Sequence, residues 1–189
     1  MNNLGNRETW LQQAVIEMTP LFASHGYTIP QIRVSCGFPS RSGLANRNRR
    51  IGECWATECA TDNRSQIFIS PTLEDTVSVL ATLVHEVVHA VVGLKAKHGK
   101  AFKQCAVAVG LTGKMTSTTA TDALKATFAK WGLGDYPHAG LSSMTRAKQS
   151  TRLVKCQCGE CGYVVRTTAK WLEQSGAPLC PCNNAPMEV

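Results

Sequence analysis

The chain has 189 residues, of which 43% are hydrophobic and 17% charged, with nine cysteines and a formal net charge of +7 at pH 7. That length accommodates one domain with a substantial core plus a small appendage. No run of about 18 apolar residues occurs, and Met1-Asn2-Asn3-Leu4-Gly5 lacks the charged-then-apolar order of a signal peptide, so neither a membrane span nor secretion is expected and the reading is cytosolic. In that compartment cysteines point to metal ligation or buried thiols before disulfides. The positive balance favours a polyanionic partner, nucleic acid first.

Taken in order, Glu8 to His25 predicts a helix, because Trp10, Leu11, Ala14, Val15, Met18, Leu21 and Phe22 share one face and Gly26 stops it. Ile29 to Cys36, Ile51 to Thr57 and Gln66 to Ser70 predict three short strands. The loop from Gly37 to Arg50 carries Arg41, Arg47, Arg49 and Arg50 without an acid between them. Such a run is either a phosphate-contacting patch or a solvated basic loop, with Arg47, Arg49 and Arg50 the candidate contacts.

Ser70-Pro71-Thr72-Leu73-Glu74-Asp75 predicts the start of a second helix, with Ser70 as cap and Pro71 in the first turn, and Gly93 as its end. Leu73, Val77, Leu80, Ala81, Val84, Val88, Val91 and Val92 recur at helical spacing and bury one flank. On this helix lies His85-Glu86-Val87-Val88-His89, the pattern H-E-x-x-H. Histidines at i and i+4 face one way and reach one Zn²⁺, while the intervening glutamate stands beside the metal's open position as a general acid/base. The bland alternative is an amphipathic helix carrying these residues by accident. Burial argues against it, since buried imidazoles need a partner and a metal satisfies both.

A catalytic zinc normally takes three protein ligands and keeps a position for water. No glutamate occurs between Glu86 and Glu160, and the position six residues after His89 is Lys95. His98 remains, nine residues after His89, reached by a short loop in which Gly99 relieves the backbone at the turn into the next helix. Its alternative is a solvated loop histidine. Lys95, Lys97, Lys100 and Lys103 surround it, and Lys97 and Lys100 join the candidate nucleic-acid contacts.

Lys100 to Val109 predicts a helix with Phe102, Cys105, Ala106 and Val109 inward, and Gly113 to Thr121 an exposed connection or flexible cleft edge. Asp122 is expected to cap a helix running to Trp131. Tyr136 and His138 follow as candidate stabilisers of a tetrahedral oxyanion, against the reading of ordinary loop residues. Cys36, Cys54, Cys59 and Cys105 match no tight metal knuckle and are expected to be buried thiols.

Residues 141–152 turn polar and basic and predict a linker, dividing the chain into domains at 1–140 and 153–189. In the second, Cys158-Gly159-Glu160-Cys161 and Cys180-Pro181-Cys182 predict a zinc ribbon whose four thiolates leave no open position, so its metal is structural. Cys156 is a fifth thiol that could replace one of the four. Arg166, Lys170 and Trp171 combine charge with an aromatic face suited to stacking on single-stranded bases, although Trp171 packed over the ribbon's small core is the favoured reading.

The run His85-Glu86-x-x-His89 followed by His98-Gly99-Lys100-Ala101-Phe102 resembles the SprT-like zinc metalloproteases, the family of the eukaryotic protease Spartan, which cleaves proteins crosslinked to DNA. Cys36-Gly37-Phe38-Pro39-Ser40, Ile51-Gly52-Glu53-Cys54-Trp55 and Ile67-Phe68-Ile69-Ser70-Pro71 look like the lead-in of its short bacterial and phage members, and the C-terminal cysteines resemble their ribbon. The resemblance implies His85, His89 and His98 as zinc ligands and Glu86 as catalytic acid/base. The expected protein is thus α+β: a zincin-like domain with a three-stranded sheet packed on the metal helix, plus a zinc ribbon. It would hold two Zn²⁺, one catalytic and one structural, and hydrolyse proteins associated with or crosslinked to DNA, single-stranded or at junctions. The alternative is a zinc-stabilised nucleic-acid-binding or transcription-related module without proteolysis.

Overall fold

The computed structural model describes residues 5–45, 47–137, 140–141 and 153–189. The chain divides into two compact units, Met1–Met144 and Thr145–Val189. The architecture is mixed α+β with small sheets, and among the described residues no helix is long and apolar enough to cross a membrane. All but one residue of the expected linker, together with His138, lie outside the described residues.

In the first unit α1 (Arg7–Ser24) is capped by Asn6, whose Oδ1 accepts from the Thr9 amide at 2.8 Å, and the chain leaves it through Gly26 at φ +78°. Trp10, Leu11, Ala14, Met18 and Phe22 are buried, as their spacing requires. Strands β1 (Ile32–Cys36), β2 (Gly52–Trp55) and β3 (Ser65–Ile69) form one sheet in the order β1-β3-β2, with β1 parallel and β2 antiparallel to β3. Strand alternation buries Ser65, Ile67 and Ile69 and turns Gln66 and Phe68 the other way.

Helix α2 (Thr76–Val92) starts five residues later than expected, with Asp75 and not Ser70 before its first turn. Ser70 does not cap it: its hydroxyl pairs with that of Thr72 at 3.0 Å and its carbonyl accepts from the Leu73 amide, closing a separate turn. Asp75 is the cap, accepting from the Ser78 amide at 2.8 Å. Val79, Leu80, Ala81, Leu83, Val84, Val87 and Val88 are all buried, so α2 is enclosed on most sides and not along one flank. Burial of each such large side chain contributes about 1.5–3 kcal/mol.

Helix α3 (Lys100–Ala108) buries Phe102, Cys105 and Ala106, with Val109 just beyond it. The expected exposed connection after it is a hairpin, β4 (Leu111–Lys114) and β5 (Ser117–Ala120), closed by Met115-Thr116. Leu111 and Ala120 are its buried anchors, and period-two alternation puts Thr118 on the same face as Ala120. Helix α4 (Asp122–Lys130) is capped by Thr121, whose Oγ1 accepts from the Leu124 amide, and not by Asp122.

In the second unit β6 (Leu153–Gln157) pairs antiparallel with β7 (Val164–Thr168), and α5 (Ala169–Ser175) follows. Gln157 and Glu188 exchange backbone hydrogen bonds at 2.8 and 2.9 Å, returning the tail to β6. Cys156, Cys158, Cys180 and Met187 make the core, with Val165 and Leu172 against it. A core this small needs a further staple to fold.

Candidate metal centre and cleft

Among the described residues two groups of side chains could hold a metal ion: His85, His89 and His98, and Cys158, Cys161, Cys180 and Cys182. The histidine group forms because α2 puts His85 and His89 one turn apart, and a 3₁₀ turn over Leu94–Ala96 carries the chain back to His98. That return uses Gly93 at φ +80° and Lys97 at φ +47°, a left-handed conformation rare for a side chain this large. Gly99, at φ −76°, does not need a glycine's backbone freedom for the turn; a Cβ there would stand in tight contact, 3.0 Å from the Ala96 carbonyl oxygen.

The three Nε2 atoms converge, with His98 3.2 Å from His89 and 3.3 Å from His85. Zn–N bonds of about 2.0–2.1 Å in a tetrahedron give edges of about 3.3–3.4 Å, so the donors fit a single zinc-sized ion. Burial holds His85 near pKa 4 and His89 near 3, with the neighbouring imidazoles adding to the effect, so both are neutral and able to ligate. Phe102 lies against all three rings, its centroid 4.9, 4.5 and 4.9 Å from those of His85, His89 and His98. His85 Nδ1 is 2.8 Å from Thr118 Oγ1, whereas His89 Nδ1 is buried without a hydrogen-bond partner among the described residues.

Glu86 is 7% exposed and lines a cleft of about 500 Å³ with the three histidines. Burial raises its carboxyl to about 8 against the opposing field of Arg50. A cation on the adjacent imidazoles acts in the same direction as Arg50 and favours the carboxylate. The walls come from Arg49–Cys54, from the Leu94–His98 turn and from Thr116–Thr118 at the hairpin tip. One wall is fixed by Glu53, whose carboxylate accepts from the Ser40 amide and hydroxyl at 2.8 and 2.7 Å, Arg50 at 2.6 Å and the Trp55 indole at 3.0 Å. The basic loop is thereby tied to β2.

Of the cationic candidates, Arg49, Arg50 and Lys97 line this cleft, while Arg47 and Lys100 are exposed outside its lining. Tyr136 does not line it. Its ring packs edge-on against Trp10 at 5.1 Å and beneath the Arg7 guanidinium at 5.3 Å, 5% exposed, which makes it a core residue and not an oxyanion donor to this cleft.

In the second unit the thiol separations are 3.8 Å for Cys158 to Cys182, 3.5 Å for Cys161 to Cys180 and 3.3 Å for Cys180 to Cys182. Zn–S bonds of about 2.3 Å give tetrahedral edges of about 3.8 Å, close to this cluster. The backbone amides of Cys161 and Glu160 pull Cys158 down to about 7, towards the thiolate a metal requires. Cys156 is fully buried in the core outside the group, so it replaces none of the four. Trp171 is 55% exposed with Lys170 5.6 Å from its ring centroid, so it is not the core residue favoured from the sequence. Arg166 is exposed on β7.

Cys105 is buried as expected and Cys36 and Cys54 partly so, but Cys59 is exposed. Thr118 and the three-ring contact of Phe102 are the site features that sequence reasoning missed. No protein-family model matches the chain, and no curated protein or solved structure matches it either.

Proposed function

We propose that the tri-histidine cleft is the active centre of a cytosolic zinc-dependent endopeptidase of the SprT-like kind, a zincin-like domain joined to a zinc ribbon. The observation that supports it most is the convergence of three imidazoles, His98 Nε2 lying 3.2 and 3.3 Å from those of His89 and His85, beside one buried carboxylate, Glu86, in a cleft of about 500 Å³. His85, His89 and His98 would hold one Zn²⁺, and Cys158, Cys161, Cys180 and Cys182 a second, structural one. Zinc in such a tri-histidine site supplies Lewis acidity, polarising the scissile carbonyl and acidifying water.

The chain's own residues do the rest. Glu86 accepts a proton from water at the cleft and returns it to the departing amine, a role that needs a carboxylate one residue along the helix from a ligand. Gly52 leaves room for that carboxylate, and Arg50, held by Glu53, keeps positive charge beside it. Arg49, Arg50 and Lys97 on the cleft, with exposed Arg166, Lys170 and Trp171 in the ribbon, suit substrates that are proteins bound or crosslinked to DNA.

The test is cleavage of a DNA-binding protein by the purified chain, with and without single-stranded DNA, beside Glu86→Gln and with zinc content measured on every sample. Cleavage that needs Glu86 while zinc is retained supports the peptidase. Two zincs with no cleavage in either condition would move the nucleic-acid-binding reading ahead.

A further inference from the structure

Resting on the reading of the histidines as metal ligands, we infer that Thr118 is a positioning residue of that centre: its hydroxyl fixes the tautomer and rotation of His85. The argument starts from the imidazole. A histidine that ligates through Nε2 carries its proton on Nδ1, and that N–H needs an acceptor where water is excluded. Thr118 Oγ1 lies 2.8 Å from His85 Nδ1. In this arrangement the Nδ1–H donates to the threonine oxygen, and Nε2 is left with its lone pair aimed at the point where His98 Nε2 also converges, 3.3 Å away.

The hairpin is built to hold that oxygen there. Ala120, 7% exposed, anchors β5 in the core, and the strand's alternation returns the same face two residues earlier, at Thr118. Ser117 and Thr119, on either side of it, are exposed. Opposite Thr118 in the ladder is Gly113, whose φ of +93° bends β4 at the level of the contact. The hairpin therefore brings the Thr118 hydroxyl to His85. Among the described residues His89 Nδ1 has no equivalent partner. Of these two helix-borne histidines, His85 is the one whose second nitrogen meets a side-chain partner among the described residues.

The test compares Thr118→Val, which keeps the branched shape and loses the oxygen, with Thr118→Ser, which restores the oxygen. Full-length protein is titrated with a zinc chelator, and metal release from the histidine and cysteine groups is resolved with Co²⁺ as a spectroscopic probe. Thr118→Val is expected to weaken the histidine site about 10- to 100-fold, the usual effect of removing an outer partner of a ligating imidazole. Thr118→Ser should recover most of that loss, and the cysteine step should not move in either variant, which reports that the chain is folded. Unchanged histidine-site affinity in Thr118→Val, or equal losses in both variants, would overturn the inference. A wild-type protein with no histidine-site step at all would remove the metal reading itself, whereas peptidase failure with an intact Thr118 effect would leave the inference standing.

Discussion

Gly52 and Glu86 stand so close that a Cβ on Gly52 would lie 2.5 Å from Glu86 Oε1 and 2.9 Å from its Cγ, with Thr82 Cγ2 at 2.7 Å. The glycine in β2 is therefore what lets the sheet approach the metal helix without displacing the buried carboxylate. Gly52→Ala should cost about 1–3 kcal/mol by overpacking, and should lower peptide cleavage about 100-fold by moving Glu86 on the order of 1 Å. Cleavage kinetics and urea unfolding on the same sample check this; wild-type rates in Gly52→Ala would show that Glu86 position does not control turnover.

Phe102 supports all three imidazoles from below and is fully buried. Phe102→Ala should destabilise the unit by about 3–5 kcal/mol. Phe102→Leu refills most of the volume but loses the aromatic ring that all three imidazoles contact at tilted or edge-on angles. Its expected result is a folded chain whose histidine site binds zinc more weakly, measured by chelator competition, with the cysteine site unaffected.

Asp75 caps α2 and gives the stability a pH dependence of known sign. Hydrogen bonds from Ser78, through its hydroxyl and its amide, hold the Asp75 carboxyl below the usual range for an aspartate. A depressed pKa means the cap's contribution is complete above the unfolded-state value of about 3.9 and is lost as pH falls through the lower folded-state value. Asp75→Ala should cost about 1 kcal/mol at pH 7. Asp75→Asn, which still accepts a hydrogen bond, should keep most of the stability and flatten its decline below about pH 4, read from thermal unfolding across a pH series.

The five C-terminal thiols should separate into two classes. Cys180→Ser removes a member of the metal group and should release one zinc and unfold the second unit, seen as one zinc fewer per chain. Cys156→Ala leaves the group intact and should retain that zinc while costing about 1 kcal/mol of packing. Zinc loss from Cys156→Ala would return Cys156 to the ligand set.

What could be read from the sequence was what nearby residues determine together. The i, i+4 spacing of His85 and His89, the apolar face of α1 and the paired cysteines are local patterns, and each reappears in the structure within a residue or two. The hairpin was not legible because Leu111 to Ala120 buries only its two ends, leaving a small, polar stretch between. Its signal was the alternation that places Thr118 and Ala120 on one face, too short to distinguish from a loop. Tyr136 has no local pattern that assigns it to Trp10, 126 positions earlier in the chain. The start of α2 was misplaced because Ser70 and Asp75 are both good caps, and only the Ser70–Thr72 turn selects between them.

Helix α2 is at once the carrier of His85, Glu86 and His89 and an element buried over most of its length. Its rotation is set by valines and leucines packed from several directions, so the reactive groups cannot drift unless the core itself gives way. Substitutions that reshape the cleft have little freedom on this helix. They fall instead to Arg49–Glu53 and to the hairpin tip at Thr116-Ser117, where the chain can be remodelled while the three histidines and Glu86 stay in place.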